Sequence, residues 1–193
     1  NIDSSLDALN VHLPVLLVMA VFGPIWVSVY RWADEVAKLL SEGFKLLDQV
    51  IYPELAKMVS SGEAAKIWRL VMRAAFILLV VGLFASLFIW MTLGAAVGYW
   101  LSEEYREVTP LASLLVPAAV LLGMAAPLYP VLYATNQPER AIYARGAGVV
   151  VYIISFFVLS ALIGHMAPGW AAIAGNLVAV SLVMWLAKQA LGK

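Results

Sequence analysis

Charged residues are absent from three long stretches of the sequence, 74–102, 108–138 and 146–187, and gather in short clusters between them. A helix needs roughly 20 residues to cross a hydrocarbon core of about 30 Å, so each stretch is long enough to span a bilayer. The third would run about 63 Å as one helix, which is two spans and not one. Its break is expected at Gly164-His165-Met166-Ala167-Pro168-Gly169, where glycine and proline interrupt the apolar run.

The first third of the chain is patterned differently. Residues 8–30 are uncharged and cross once, with Pro14 and Pro24 predicting a bent span. Residues 31–58 have helical periodicity but carry charge along their whole length, and Ser60-Ser61-Gly62 ends that helix. Residues 64–102 read as a helix that enters the membrane behind Arg69 and Arg73 and leaves near Tyr99 and Trp100. An acidic loop follows, and Thr109-Pro110 reads as an N-cap with proline at the first helical position. Pro117, Pro127 and Pro130 predict that the next span is bent or partly unwound near its end. Asn136-Gln137-Pro138-Glu139-Arg140 is a polar loop. The expected fold is an all-α polytopic membrane helix bundle. It forms one unit over 1–193 with about six transmembrane helices, at roughly 8–28, 31–57, 68–100, 110–133, 143–164 and 169–187.

Composition supports this picture. Hydrophobic residues make up 64% of the 193, charged residues 12%, and the mean hydropathy is +0.92. A water-soluble domain is nearer half apolar and a quarter charged. The net charge is zero, so nothing draws the chain to nucleic acid, and no nucleic-acid partner is expected. The absence of cysteine removes disulfides, thiolate metal sites and a cysteine nucleophile together. The chain starts at Asn1 without an initiator methionine or a basic region before its first apolar stretch. It is therefore expected to be a fragment or a processed piece without a signal peptide.

Lysine and arginine excess marks the cytoplasmic side of a membrane. Lys57, Lys66, Arg69 and Arg73 stand against Glu63, whereas Arg106 stands against Glu103, Glu104 and Glu107. Arg140 and Arg145 form the next basic cluster, His165 lies in an uncharged loop, and Lys188 and Lys193 close the chain. That alternation fits four spans from residue 64 onward. The acidic tail with Asp3 and Asp7 fits less well if 31–58 also crosses. Aromatic residues (Trp26, Tyr30, Trp32, Trp68, Tyr99, Trp100, Tyr129, Tyr133 and Trp170) mark span ends at headgroup level, which membrane packing alone explains.

Arg31, Asp34, Glu35, Lys38, Glu42, Lys45, Asp48 and Gln49 recur at three- and four-residue steps and form one stripe of a helix. Asp34–Lys38, Lys38–Glu42 and Lys45–Gln49 can pair one turn apart. One reading is an interfacial amphipathic helix with its stripe in water. The other is a crossing helix whose stripe lines a wet cavity. Periodicity and charge counting favour the interfacial one. His12 and His165 have no partner at metal-ligand spacing, and no hydrolase, zinc-protease or phosphate-loop motif occurs, so neither a metal, a cofactor nor an enzyme is expected. Gly94/Gly98 and Gly146/Gly148 suit close helix packing. Asn176 and Tyr152, isolated polar residues within spans, suit interhelical hydrogen bonds first and cavity lining second.

Val29-Tyr30-Arg31-Trp32-Ala33, then Ile51-Tyr52-Pro53-Glu54-Leu55-Ala56-Lys57-Met58 and Ser61-Gly62-Glu63, resemble the middle of polysaccharide flippases. These belong to the multidrug/oligosaccharidyl-lipid/polysaccharide exporter superfamily. Tyr133-Ala134-Thr135-Asn136-Gln137-Pro138-Glu139-Arg140 and Gly169-Trp170-Ala171-Ala172 are similar to the last two inter-helix loops of that family. The resemblance runs along nearly the whole chain, through short and degenerate motifs. It implies a two-lobed bacterial transporter of the cytoplasmic (inner) membrane. This chain would be its C-terminal lobe of about six helices, partnered by a missing N-terminal lobe and by membrane lipids. It also implies that 31–58 crosses the membrane, against the charge count. The expected function is flipping of lipid-linked oligosaccharide or polysaccharide precursors, as for lipopolysaccharide and other cell-envelope glycans. Arg31, Lys38 and Lys45 would pair with phosphates, and Asp34, Glu42 and Asp48 would hold those cations or couple an ion. The alternatives are a multidrug or cation antiporter of the same superfamily and a non-transporting membrane scaffold.

Overall fold

The computed structural model describes residues 2–60, 64–100 and 107–191, with side-chain surroundings for 12–43, 65–93 and 107–191. Seven α-helices follow in order: α1 (Ile2–Phe22), α2 (Pro24–Ser60), α3 (Ala64–Trp100), α4 (Val108–Ala125), α5 (Tyr129–Ala134), α6 (Pro138–Ile163) and α7 (Ala167–Leu191). Short 3-10 turns at Ala126–Leu128 and Gly164–Met166 join α4 to α5 and α6 to α7. No strand occurs among the described residues.

The breaks have local causes. α1 stops at Phe22, earlier than the expected end of the first span near residue 28, so Trp26 to Tyr30 belong to α2. Pro24 excludes the helical conformation from the residue before it, and Gly23 answers with φ +84°. The bend expected from Pro24 is therefore a helix boundary, and only Pro14 lies inside α1. α4 begins at Val108 with Glu107 as its N-cap, so Thr109-Pro110 sits just inside the helix.

Further on, Pro127 has no N–H to give the Gly123 carbonyl. The Ala126 N–H takes that carbonyl instead, in a tighter turn, and the helix unwinds where the sequence predicts. α5 ends on Asn136 at φ 57°. The Gln137 N–H donates to the Leu132 carbonyl at 2.9 Å and the Asn136 N–H to the Tyr133 carbonyl at 3.1 Å, the paired bonds of a Schellman cap. Pro138 then opens α6 at a position that needs no donor. Gly164, at φ 63° and ψ −133°, closes α6 in a conformation open to glycine.

α4 sits centrally, against α2, α3 and α7, and α6 and α7 form the most extensive helix pair. Gly148 and Gly175 let those two approach closely. A methyl group on Gly175 would stand 2.7 Å from the Gly148 carbonyl oxygen, and one on Gly148 would stand 2.9 Å from the Ala179 methyl. Gly146, by contrast, has open space around it. One apolar cluster joins Val18 of α1 and Val29, Ala33 and Ala37 of α2 to Leu111 and Leu115 of α4 and Phe156 of α6. A second joins Ile67 and Val71 of α3 to Leu128, Leu132, Ala144 and Val183.

Three helical stretches are long and apolar enough to cross a membrane: Ala65–Leu93, Val108–Ala134 and Pro138–Leu191. The last contains the break at Gly164–Met166. Phe76, Phe84, Phe88 and Met91 on α3 and Ile154 and Leu162 on α6 are exposed, faces that water would disfavour and lipid accepts. The chain is built as an all-α helical membrane protein.

Candidate functional site

A cavity of about 180 Å³ lies among α1, α2, α4, α5, α6 and α7. Leu13 and Pro14 of α1 flank it. Most of its wall is apolar and small, with Ala37, Ala118, Ala119, Gly148, Ala172 and Ala179 leaving the space that larger side chains would fill. Polar groups enter from four helices: Tyr30, Asp34, Lys38 and Ser41 from α2, Tyr129 from α5, Arg145 and Tyr152 from α6, and Asn176 from α7.

The helical register of α2 explains which groups arrive. Tyr30, Ala33 and Ala37 are buried against the bundle, while Arg31, Trp32, Glu35, Leu39 and Glu42 face outward. The ionic stripe thus stands edge-on to the bundle. One border, Asp34 and Lys38, reaches the cavity, with side chains 22% and 40% exposed at its mouth. The Lys38 ammonium lies 2.8 Å from the Asp34 carboxylate, the pairing expected from their spacing, and 3.0 Å from Glu35. Its second partner is therefore Glu35 and not Glu42. Arg31 and Glu42 are exposed and do not line the cavity. The side chains of Lys45 and Asp48 lie outside the described residues.

Several cavity residues escaped the pattern of charges. Arg145 reads in sequence as a loop cation beside Arg140, yet it follows the first turn of α6, and its guanidinium lies 4.4 Å above the Tyr129 ring. The available signal was its spacing: Arg145, Gly148 and Tyr152 share one helix face. Tyr129 packs inside the bundle, 7% exposed beneath that guanidinium. Asn176 donates from Nδ2 to the Ala118 carbonyl at 2.7 Å, tying α7 to α4, and also lines the cavity. Both roles named for it are thus occupied. The Tyr152 hydroxyl is buried on the same wall without a hydrogen-bond partner.

A smaller polar cluster ties the loops at one end of the bundle. The His165 ring stacks on Trp26 with centroids 4.0 Å apart, and its Nε2 lies 3.4 Å from the Glu107 carboxylate. Packing in lipid headgroups alone does not account for Trp26. The start of α2, the start of α4 and the α6–α7 turn therefore meet at one level. Searches against family models, curated proteins and solved structures each return no match for this chain.

Proposed function

We propose that this chain is the C-terminal lobe of a membrane transporter that flips lipid-linked oligosaccharide or polysaccharide precursors across the bacterial cytoplasmic membrane. The observation that carries this reading is a cavity that gathers hydroxyl, amide and charged groups inside a bundle whose α3 and α6 present apolar outer faces. A sugar–phosphate head cannot enter hydrocarbon without losing its hydrogen bonds, a loss of several kcal/mol for each polar group left bare. A chamber of hydroxyl, amide and charged groups substitutes for that water, while a polyprenyl tail stays in lipid.

The position of α2 supports the same reading. It starts beside the start of α4, where Trp26 and Glu107 meet His165, and farther along it packs on the Ala126–Leu128 turn and α5. It therefore runs beside a stretch, Val108–Ala134, that is long and apolar enough to cross by itself. Asp34 and Lys38 then belong to membrane depth, where ionised groups mark pathways. With α2 as a crossing helix, the topology reaches six spans. An ion-coupled antiporter needs a carboxylate available to its ion, and Asp34 on the cavity wall is held by Lys38 instead.

The test is a flipping assay with fluorescent polyprenyl-diphosphate oligosaccharide in proteoliposomes, scored by a membrane-impermeant quencher. The whole transporter, this lobe together with its N-terminal partner lobe, should make the outer-leaflet fraction exchange, and Lys38→Ala with Lys45→Ala in this lobe should slow that exchange about tenfold or more. Exchange at the wild-type rate in the double variant removes the ionic stripe from the mechanism.

A further inference from the structure

We infer that the chamber between α2, α6 and α7 is a subsite for one uncharged sugar ring, and not for the phosphates of a lipid carrier. The inference rests on the transport reading for the reason a sugar arrives there, and on the wall chemistry for everything else.

The charges at the mouth already answer one another. The Lys38 ammonium is bonded to Asp34 at 2.8 Å and to Glu35 at 3.0 Å, so it holds two carboxylates before any ligand appears. The Arg145 guanidinium is laid across the Tyr129 ring at 4.4 Å. A phosphate at Lys38 would find one ammonium donor left and would sit beside the Asp34 and Glu35 carboxylates, which like-charge repulsion opposes.

Uncharged hydrogen-bonding capacity is what the interior offers. Tyr152 is 8% exposed, and its hydroxyl, buried on the cavity wall, meets no partner. Native structures rarely leave such a group unsatisfied, and a hydroxyl can both donate and accept. Asn176 gives one Nδ2 hydrogen to the Ala118 carbonyl, which leaves its second N–H as a donor and its Oδ1 as an acceptor. Donors and acceptors alternating over small apolar patches match the alternating hydroxyls and C–H faces of a sugar. A cavity of about 180 Å³ has room for several waters, on the order of one pyranose ring. The remaining sugars and the carrier would stay beyond the mouth at Asp34 and Lys38.

The experiment uses the whole chain in lipid nanodiscs and equilibrium calorimetry. The probes are the methyl glycosides of glucose, galactose, mannose and N-acetylglucosamine, with inorganic diphosphate as the anionic comparison. At least one glycoside should bind saturably, with affinity nearly unchanged over an about tenfold range of salt, because no charge is exchanged. Diphosphate should not compete. Tyr152→Phe keeps the ring and removes only the hydroxyl, so it should weaken glycoside binding about five- to tenfold while melting at the wild-type temperature or above. Ala119→Leu, which fills the chamber, should abolish binding. Binding of diphosphate but of no glycoside overturns the inference, as does absence of all binding, or glycoside binding indifferent to both variants. Binding of the glycoside through Tyr152, with no flipping of lipid-linked sugar by the two lobes together, keeps this subsite and loses the transport reading. Flipping by the two lobes at an unchanged rate after Ala119→Leu removes the subsite alone.

Discussion

Individual side chains in this bundle carry more than one task. Asn176 both closes a gap between α7 and α4 and faces the cavity. Its bond to the Ala118 carbonyl joins residues 58 positions apart in sequence. Asn176→Ala should therefore destabilise the protein by about 1 kcal/mol, near the upper range of interhelical hydrogen bonds in membranes, measured by unfolding in mixed micelles. An unchanged midpoint would mean that the carbonyl finds another donor. The sequence pointed to Asn176 and Tyr152 because a polar residue is conspicuous inside an apolar run. It did not point to Arg145, because a cation five residues after Arg140, grouped with it in one basic cluster, looks like a loop residue. What set Arg145 apart was the start of α6 at Pro138, and that depends on how the preceding chain turns. The split of the ionic stripe was hidden for a related reason. Periodicity places Arg31, Asp34, Lys38 and Glu42 on one face, but only the neighbours of α2 decide which border of that face turns inward.

At the level of helices and their junctions, glycine separates two kinds of effect. Gly164 sits at φ 63° and ψ −133°, so Gly164→Ala should cost about 1–3 kcal/mol through backbone strain. Gly146 lies within α6 with nothing within 4 Å of an added methyl, so Gly146→Ala should leave stability unchanged or raise it by up to about 1 kcal/mol. The same unfolding measurement reads both, and equal effects would contradict the local account. Proline and glycine made these junctions readable in the sequence. The break at 164–169 and the unwinding at Pro127 fall where they were expected, because both follow from a missing donor or an unusual φ. The first junction was misjudged by several residues. The uncharged run from 8 to 30 hid a helix boundary at Gly23, since hydrophobicity continues across it.

For the molecule as a whole, an all-helical membrane build is legible in the lengths of the uncharged runs, a matter of bilayer thickness. The course of α2 is not, because an amphipathic pattern suits both a headgroup surface and a wet interior. Topology labelling separates them. A cysteine introduced by Ser5→Cys in this cysteine-free chain should react with an impermeant reagent from the cytoplasmic side if α2 crosses. Reaction from the outside would put α2 flat on the membrane and remove the support its depth lends to transport.

The meeting of Gly148 and Gly175 also bears on how such a bundle can rearrange. With backbones this near, neither lipid nor water can be wedged between α6 and α7, and parting them would expose peptide groups to hydrocarbon. These two helices must travel as an inseparable pair. Any widening of the chamber then falls to the opposite wall, to α1 and α2, which are joined to each other through the pliant single residue Gly23.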